Sequence, residues 1–275
     1  MTDNSTFSGW DDIDARDDPD SFRSYLDTVT GLDGFERMKR WSHRLLDPDP
    51  GDHLLDVGCG TGDDALTLAA DVGSEGRVVG VDNSETMIEE ARSRATSSQP
   101  VEFEVADAES LPFGDGSFDG CRTDRVFQHL DDPRTAFREL RRVVRPGGRI
   151  VVSDADWGTL AVDASAQSID EGRGQILDPR WSCAQNGRIG RKLYGWFVET
   201  GLTEVAVDGT VVVLTEFETA NEVLGLEGRA ETVREAGIVS AAEVDQWLDT
   251  LREADRDGTF FSSLTLYTVA GTKPA

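Results

Sequence analysis

Lysine is nearly absent from this sequence. The 275 residues hold only Lys39, Lys192 and Lys273, and arginine supplies the rest of 27 basic side chains set against 53 acidic ones. A formal net charge of −26 argues against nucleic acid and anionic lipid as partners unless a basic patch breaks the field locally. No dense patch exists; Arg141, Arg142, Arg145 and Arg149 come closest, around a glycine turn. Cysteine is scarce too. Cys59, Cys121 and Cys183 form no CxxC pair, so neither a zinc site nor a disulfide framework is indicated, and no metal is expected. There is no apolar run near ~18 residues, and the N-terminus is polar and acidic, unlike a signal peptide. The expectation is a cytoplasmic protein with no membrane segment. Dispersed acid with so little lysine suits molar salt, where screening removes self-repulsion; a merely acidic mesophilic protein is the alternative.

What is present is organised by alternation. Residues 1–46 read as a polar, acidic arm followed by cap helices, with helical periodicity at Phe35, Met38, Trp41 and Leu45. Residues 47–275 read as one domain. HLLDV, RVVGVD, VEFEVAD, FDGCRT and GGRIVVSDAD are strands separated by helical segments. That pattern predicts an α/β fold, a doubly wound parallel sheet of Rossmann-like type. Two insertions interrupt it, a lid at about 158–190 and a helical stretch at 217–256 whose exposed faces would form either a solvated cover or a homodimer contact.

The chemistry concentrates at DHLLDVGCGTGDD (52–64). Gly58 and Gly60 follow the first strand, where ligands bind in open parallel sheets. Asp82 ends the second strand about 20 residues later, placed to accept hydrogen bonds from a ribose diol or to cap a helix. Asp107 ends the third strand, where it would meet an adenine amino group or serve a turn. Two acids beside a glycine loop suit an adenosine and repel a phosphate, and the loop has neither the GxGxxG nor the GxxxxGK[ST] form. The ligand expected is therefore an adenosine whose charged part is an amino acid, as in S-adenosylmethionine. Asp56 would hold its ammonium or brace the loop.

LLDVGCGTG (54–62), VVGVDNSETMIEEAR (78–92), VADAESLPFGDGSFD (105–119), VFQHLDDP (126–133) and LRRVVRPGG (140–148) together resemble the class I S-adenosylmethionine-dependent methyltransferases. The likeness is greatest to the small-molecule branch that includes ubiquinone and menaquinone methyltransferases. The resemblance implies a seven-stranded sheet whose last strand is antiparallel and inserted between the fifth and sixth. It implies Gly58 and Gly60 on the methionine part, Asp82 on the ribose, and Asn83 or Met87 beside the adenine. It further implies Asp107 and Ala108 on the adenine ring, Thr123 to Arg125 passing the methyl-bearing sulfur, and Tyr25 on a helix covering the cofactor. The expected activity is methyl transfer to a small, hydrophobic or ring-bearing acceptor by in-line displacement. His129 is the candidate base, against a purely structural role, and Trp157 a candidate wall for the acceptor. A non-catalytic cofactor-binding sensor or partner subunit and an NAD-dependent oxidoreductase are the competing readings.

Overall fold

The structure, a computed structural model, describes residue 14 and residues 25–26, 28–163, 175–182 and 184–275. Most of the expected N-terminal arm, Asp27, Cys183 and the middle of the expected lid (164–174) lie outside the described residues.

The strands form a single seven-stranded sheet in the order β3-β2-β1-β4-β5-β7-β6. They are β1 (His53–Val57), β2 (Arg77–Asp82), β3 (Val101–Val105), β4 (Phe118–Asp124), β5 (Val144–Asp163), β6 (Thr203–Leu214) and β7 (Phe261–Thr272). β1 to β5 run parallel, and β7 lies antiparallel between β5 and β6. This is the Rossmann-like methyltransferase sheet implied by the resemblance.

Consecutive residues of the central strands are buried on opposite faces, as a sheet covered on both sides requires. Leu54 and Val78 pack with α2 (Asp63–Val72) and α3 (Glu85–Arg94), while Leu55, Val57, Val79 and Val81 pack on the other side. That second face is closed by α4 (Pro133–Val143) and α5 (Gly190–Glu199). Ser84 caps α3, accepting from the Met87 amide at 3.2 Å, and Asp132 caps α4.

Two expectations shift in register. α1 (Asp33–Leu46) buries Phe35, Met38, Ser42 and Leu46, whereas Trp41 is exposed. The inward face is rotated because the sheet beneath α1 presents a buried arginine, Arg122, and Ser42 Oγ accepts from it at 3.5 Å. The fifth strand continues to Asp163, so 158–163 is not lid; Ala161, Val162 and Asp163 pair with Ser263, Ser262 and Phe261.

The insertion between β6 and β7 holds α6 (Phe217–Leu224), α7 (Leu226–Glu235) and α8 (Ala241–Arg256). α8 starts at a reciprocal Ser240–Glu243 capping box and buries Val244, Trp247, Leu251 and Ala254 along one stripe. These helices share a core with α1 and with Trp157 at the outer end of β5, so the cover is packed onto the sheet through its own apolar cluster.

Candidate functional site

Strand order reverses between β1 and β4, and the crevice above that switch point holds a cavity of about 380 Å³. The structure brings together Tyr25, Asp56, Gly58, Gly60, Asp82, Asn83, Met87, Asp107, Ala108, Arg125, His129 and Trp157 around it. Thr123 is not among them; its side chain is buried within β4.

Four backbone donors of the glycine loop are bonded within the fold. Gly58 and Cys59 amides donate to Val81 O at 2.7 and 2.9 Å, Gly60 to Asp82 Oδ2 at 2.9 Å, and Gly62 to Cys59 O at 2.9 Å. A phosphate loop needs such amides free to point at the anion. Gly58 has φ +70°, and a Cβ there would come within 2.1 Å of Val126 Cγ2, so only glycine allows this approach.

Eight carboxylates line the cavity (Asp56, Asp63, Asp64, Asp82, Asp107, Glu109, Asp124 and Asp131) against Lys39, Arg122 and Arg125. Such a lining favours a cationic ligand. Asp82 is half-buried at the end of β2, and desolvation raises its pKa even though the Ser84 and Gly60 amides donate to it. Each of its oxygens retains a further lone pair for a ribose hydroxyl. Asp107 serves its own turn, with Oδ1 accepting from the Glu109 amide at 2.8 Å, and lines the cavity as well.

Behind the loop lies a charge network that the sequence reading missed. Arg122, in the middle of β4 and 1% exposed, contacts Asp56 at 3.2 Å, Asp64 at 3.0 Å and Asp124 at 3.7 Å. α1 adds Lys39, 3.0 Å from Asp64, and His43, 3.2 Å from the same carboxylate. Burial opposes ionisation of Asp64, but Arg122, His43 and Lys39 hold its carboxyl well below the usual carboxylate range. Burial pushes the Asp56 carboxyl up to about 6, with Arg122 restraining the rise and Asp64 adding to it. Among the described residues, Asp56 Oδ2 has no hydrogen-bond partner. The one signal available was charge carried into a strand, Arg122 inside β4 and Asp124 at its end; buried charges survive only when paired.

Past the loop, Arg125 adopts a left-handed backbone (φ 58°), a conformation that costs a non-glycine residue about 1–3 kcal/mol. Its amide donates to Ser153 O at 2.8 Å, and its guanidinium lies 5.0 Å from the Phe35 ring centre. Gln128 Oε1 accepts from Trp157 Nε1 at 2.7 Å and fixes the Trp157 indole at the cavity wall.

His129 lines the cavity but is poorly suited to accept a proton. Burial, reinforced by Arg125, lowers its pKa to about 3. The imidazole is neutral at physiological pH, and its protonated form is strongly disfavoured. Since the folded pKa lies below the unfolded one, His129 contributes stability that is present above the unfolded pKa of about 6.5 and is lost as pH falls toward the folded value. Between about pH 7.5 and pH 5, the wild type is expected to lose about 2 kcal/mol more stability than His129→Gln. Urea unfolding at the two pH values checks this; parallel losses would show that His129 does not titrate as an isolated buried group.

The residues present fit S-adenosylmethionine: acids for a ribose and an ammonium, loop amides of Gly58, Cys59, Gly60 and Gly62 already bonded within the fold, and an overall negative lining for a sulfonium. A family model described as a methyltransferase domain matches residues 48–201. A 37.1 kDa transposon protein of Streptomyces fradiae is 39% identical over 246 residues, covering 90% of this chain and 70% of that one. A demethylmenaquinone methyltransferase of Staphylococcus aureus is 36% identical over 139 residues, 50% of this chain and 58% of that one. A solved Bacillus subtilis structure superposes with a TM-score of 0.59 at 21% identity, covering 87% of this chain and 99% of that chain, a likeness of fold. The match spans 44–58% of the length of some curated methyltransferases and 75% of a demethylmenaquinone methyltransferase of Bacillus cereus. By its matched domain and its site, this chain belongs to the methyltransferase-domain family, the S-adenosylmethionine-dependent methyltransferases that its sequence resembles.

Proposed function

We propose that this protein methylates a small, hydrophobic or ring-bearing acceptor. The observation that carries the reading is the continuity of one cavity from the residues fitted to the cofactor (Gly58, Gly60, Asp82, Asp107) to Tyr25, Leu130 and Trp157. When bound, the cofactor supplies a methyl group and its sulfur keeps the bonding pair. The residues of the chain supply position: Asp82 and Asp107 hold the nucleoside, Asp56 the ammonium, and Gln128 steadies Trp157 against the acceptor. Held geometry accounts for most of the rate in such a displacement. The named relative that acts on demethylmenaquinone supports a ring-bearing acceptor.

No helix of the described residues is long and apolar enough to cross a membrane. A small molecule taken from the cytoplasm is the proposed substrate. The −26 charge supports work in molar salt, and a homodimer remains part of this reading as a contact between helical covers.

Calorimetry in molar potassium chloride with S-adenosylmethionine, S-adenosylhomocysteine and NAD tests the cofactor. Micromolar binding of the first two and none of NAD is the expected outcome. Tight NAD binding without sulfonium binding would move the protein among the oxidoreductases.

A further inference from the structure

Asp124 ends β4 and borders the cavity. Val57 pairs with Thr123, so Asp124 is level with Gly58 of the glycine loop, across the switch-point crevice. Its side chain is 6% exposed. Both carboxylate oxygens are buried and, among the described residues, accept no hydrogen bond. Arg122 and Arg125 stand 3.7 and 3.4 Å away, as ion pairs only. A buried carboxylate with both oxygens unsatisfied is costly, and it is tolerated where a ligand completes it.

The surroundings select the ligand. Two guanidiniums flank Asp124, so an ammonium brought there meets their repulsion, while an anion meets the carboxylate itself. A neutral O–H donor meets neither and satisfies an oxygen. The neighbouring alternatives are engaged elsewhere. Asp82 holds backbone amides, Asp56 sits one strand away on the other side of the crevice, and neutral His129 resists a proton.

We propose that Asp124 receives the methyl acceptor through the acceptor's own hydroxyl group and takes its proton during transfer. The acceptor O–H bond breaks, and its proton passes to a carboxylate oxygen of Asp124. The electron pair stays on the acceptor oxygen, which forms the new bond to the methyl carbon supplied by the cofactor. The proton leaves to water once the methylated product has gone. This assignment rests on the proposed methyltransferase reading and names its acceptor class: a neutral hydroxyl compound, with oxygen as the methylated atom.

The test separates the two ideas by measuring them in sequence. Calorimetric binding of S-adenosylhomocysteine to the full chain in molar potassium chloride decides the cofactor reading by itself. On protein saturated with it, phenol, catechol and 1-naphthol are compared with anisole, veratrole and 1-methoxynaphthalene, and with benzylammonium. A hydrogen bond to a buried carboxylate predicts a preference of about ten- to a hundredfold for hydroxyl over methyl ether, collapsing to under about threefold in Asp124→Asn. Asp124→Ala, which removes the carboxylate without adding a donor, serves if Asp124→Asn does not fold. Absence of a hydroxyl preference in the wild type, its survival in the Asp124 variants, or tighter binding of benzylammonium than of phenol each overturns the proposal.

Discussion

Replacing Arg122 with methionine is expected to destabilise the protein by about 3–5 kcal/mol near neutral pH. The aliphatic replacement fills much of the volume, so the loss reports charge rather than a cavity. Arg122 is the shared counter-ion of Asp56, Asp64 and Asp124. Without it, Lys39 and Arg125 remain against three buried carboxylates. The penalty should depend on pH with a defined sign. Asp56 already has its folded pKa raised to about 6 by burial, despite Arg122, and losing Arg122 raises it further. A carboxyl raised on folding stabilises the native state at low pH, and that contribution is lost as pH rises through the folded value. The cost of Arg122→Met should therefore shrink below about pH 6 and be largest above it. Urea denaturation of both proteins at pH 5 and pH 8, in molar salt to keep surface repulsion constant, measures this. A loss under about 1 kcal/mol at both pH values would show that the network is not held together by Arg122.

Asp82→Ala should reduce S-adenosylhomocysteine affinity at least about a hundredfold. Two charge-assisted hydrogen bonds to a ribose diol account for that much. The residue also organises the loop, since its two oxygens accept from the Gly60 and Ser84 amides. Asp82→Asn separates the roles: it keeps an acceptor near the loop but offers an N–H donor where the second ribose hydroxyl would donate. Thermal unfolding establishes that each variant folds, and calorimetry gives the affinity. Binding within threefold of wild type in a folded Asp82→Ala protein would place the nucleoside elsewhere.

Both predictions act at one end of the sheet, yet they were legible to different degrees. Asp82 is readable because its position follows from local pattern: an apolar strand, its last residue, and the distance from a glycine loop. The boundaries of β1, β2, α2 and α4 follow from the same short-range periodicities, as does the Ser84 cap. Arg122 was passed over as an ordinary strand residue. Its partners Asp56 and Asp64 lie 66 and 58 positions away, and nothing local indicates that one guanidinium serves both. The contact of His43 with Asp64 arises only when α1 packs over the sheet.

The sequence by itself determined the alternation of strand and helix, the glycine loop, and the acid at the end of β2, because these depend on residues within a few positions of one another; Asp107, expected to end β3, lies two residues past it in a turn. It also determined the overall sign of the chain, 53 acidic side chains against 27 basic ones. The tertiary structure decided the rest. It rotated α1 so that Ser42 rather than Trp41 faces inward, and it carried β5 on to Asp163 through pairing with β7. It bonded the Gly58, Cys59, Gly60 and Gly62 amides within the fold and left the Asp124 carboxylate buried without a hydrogen bond among the described residues. Each of these outcomes depends on desolvation and pairing between distant segments, quantities that exist only once the chain has closed on itself.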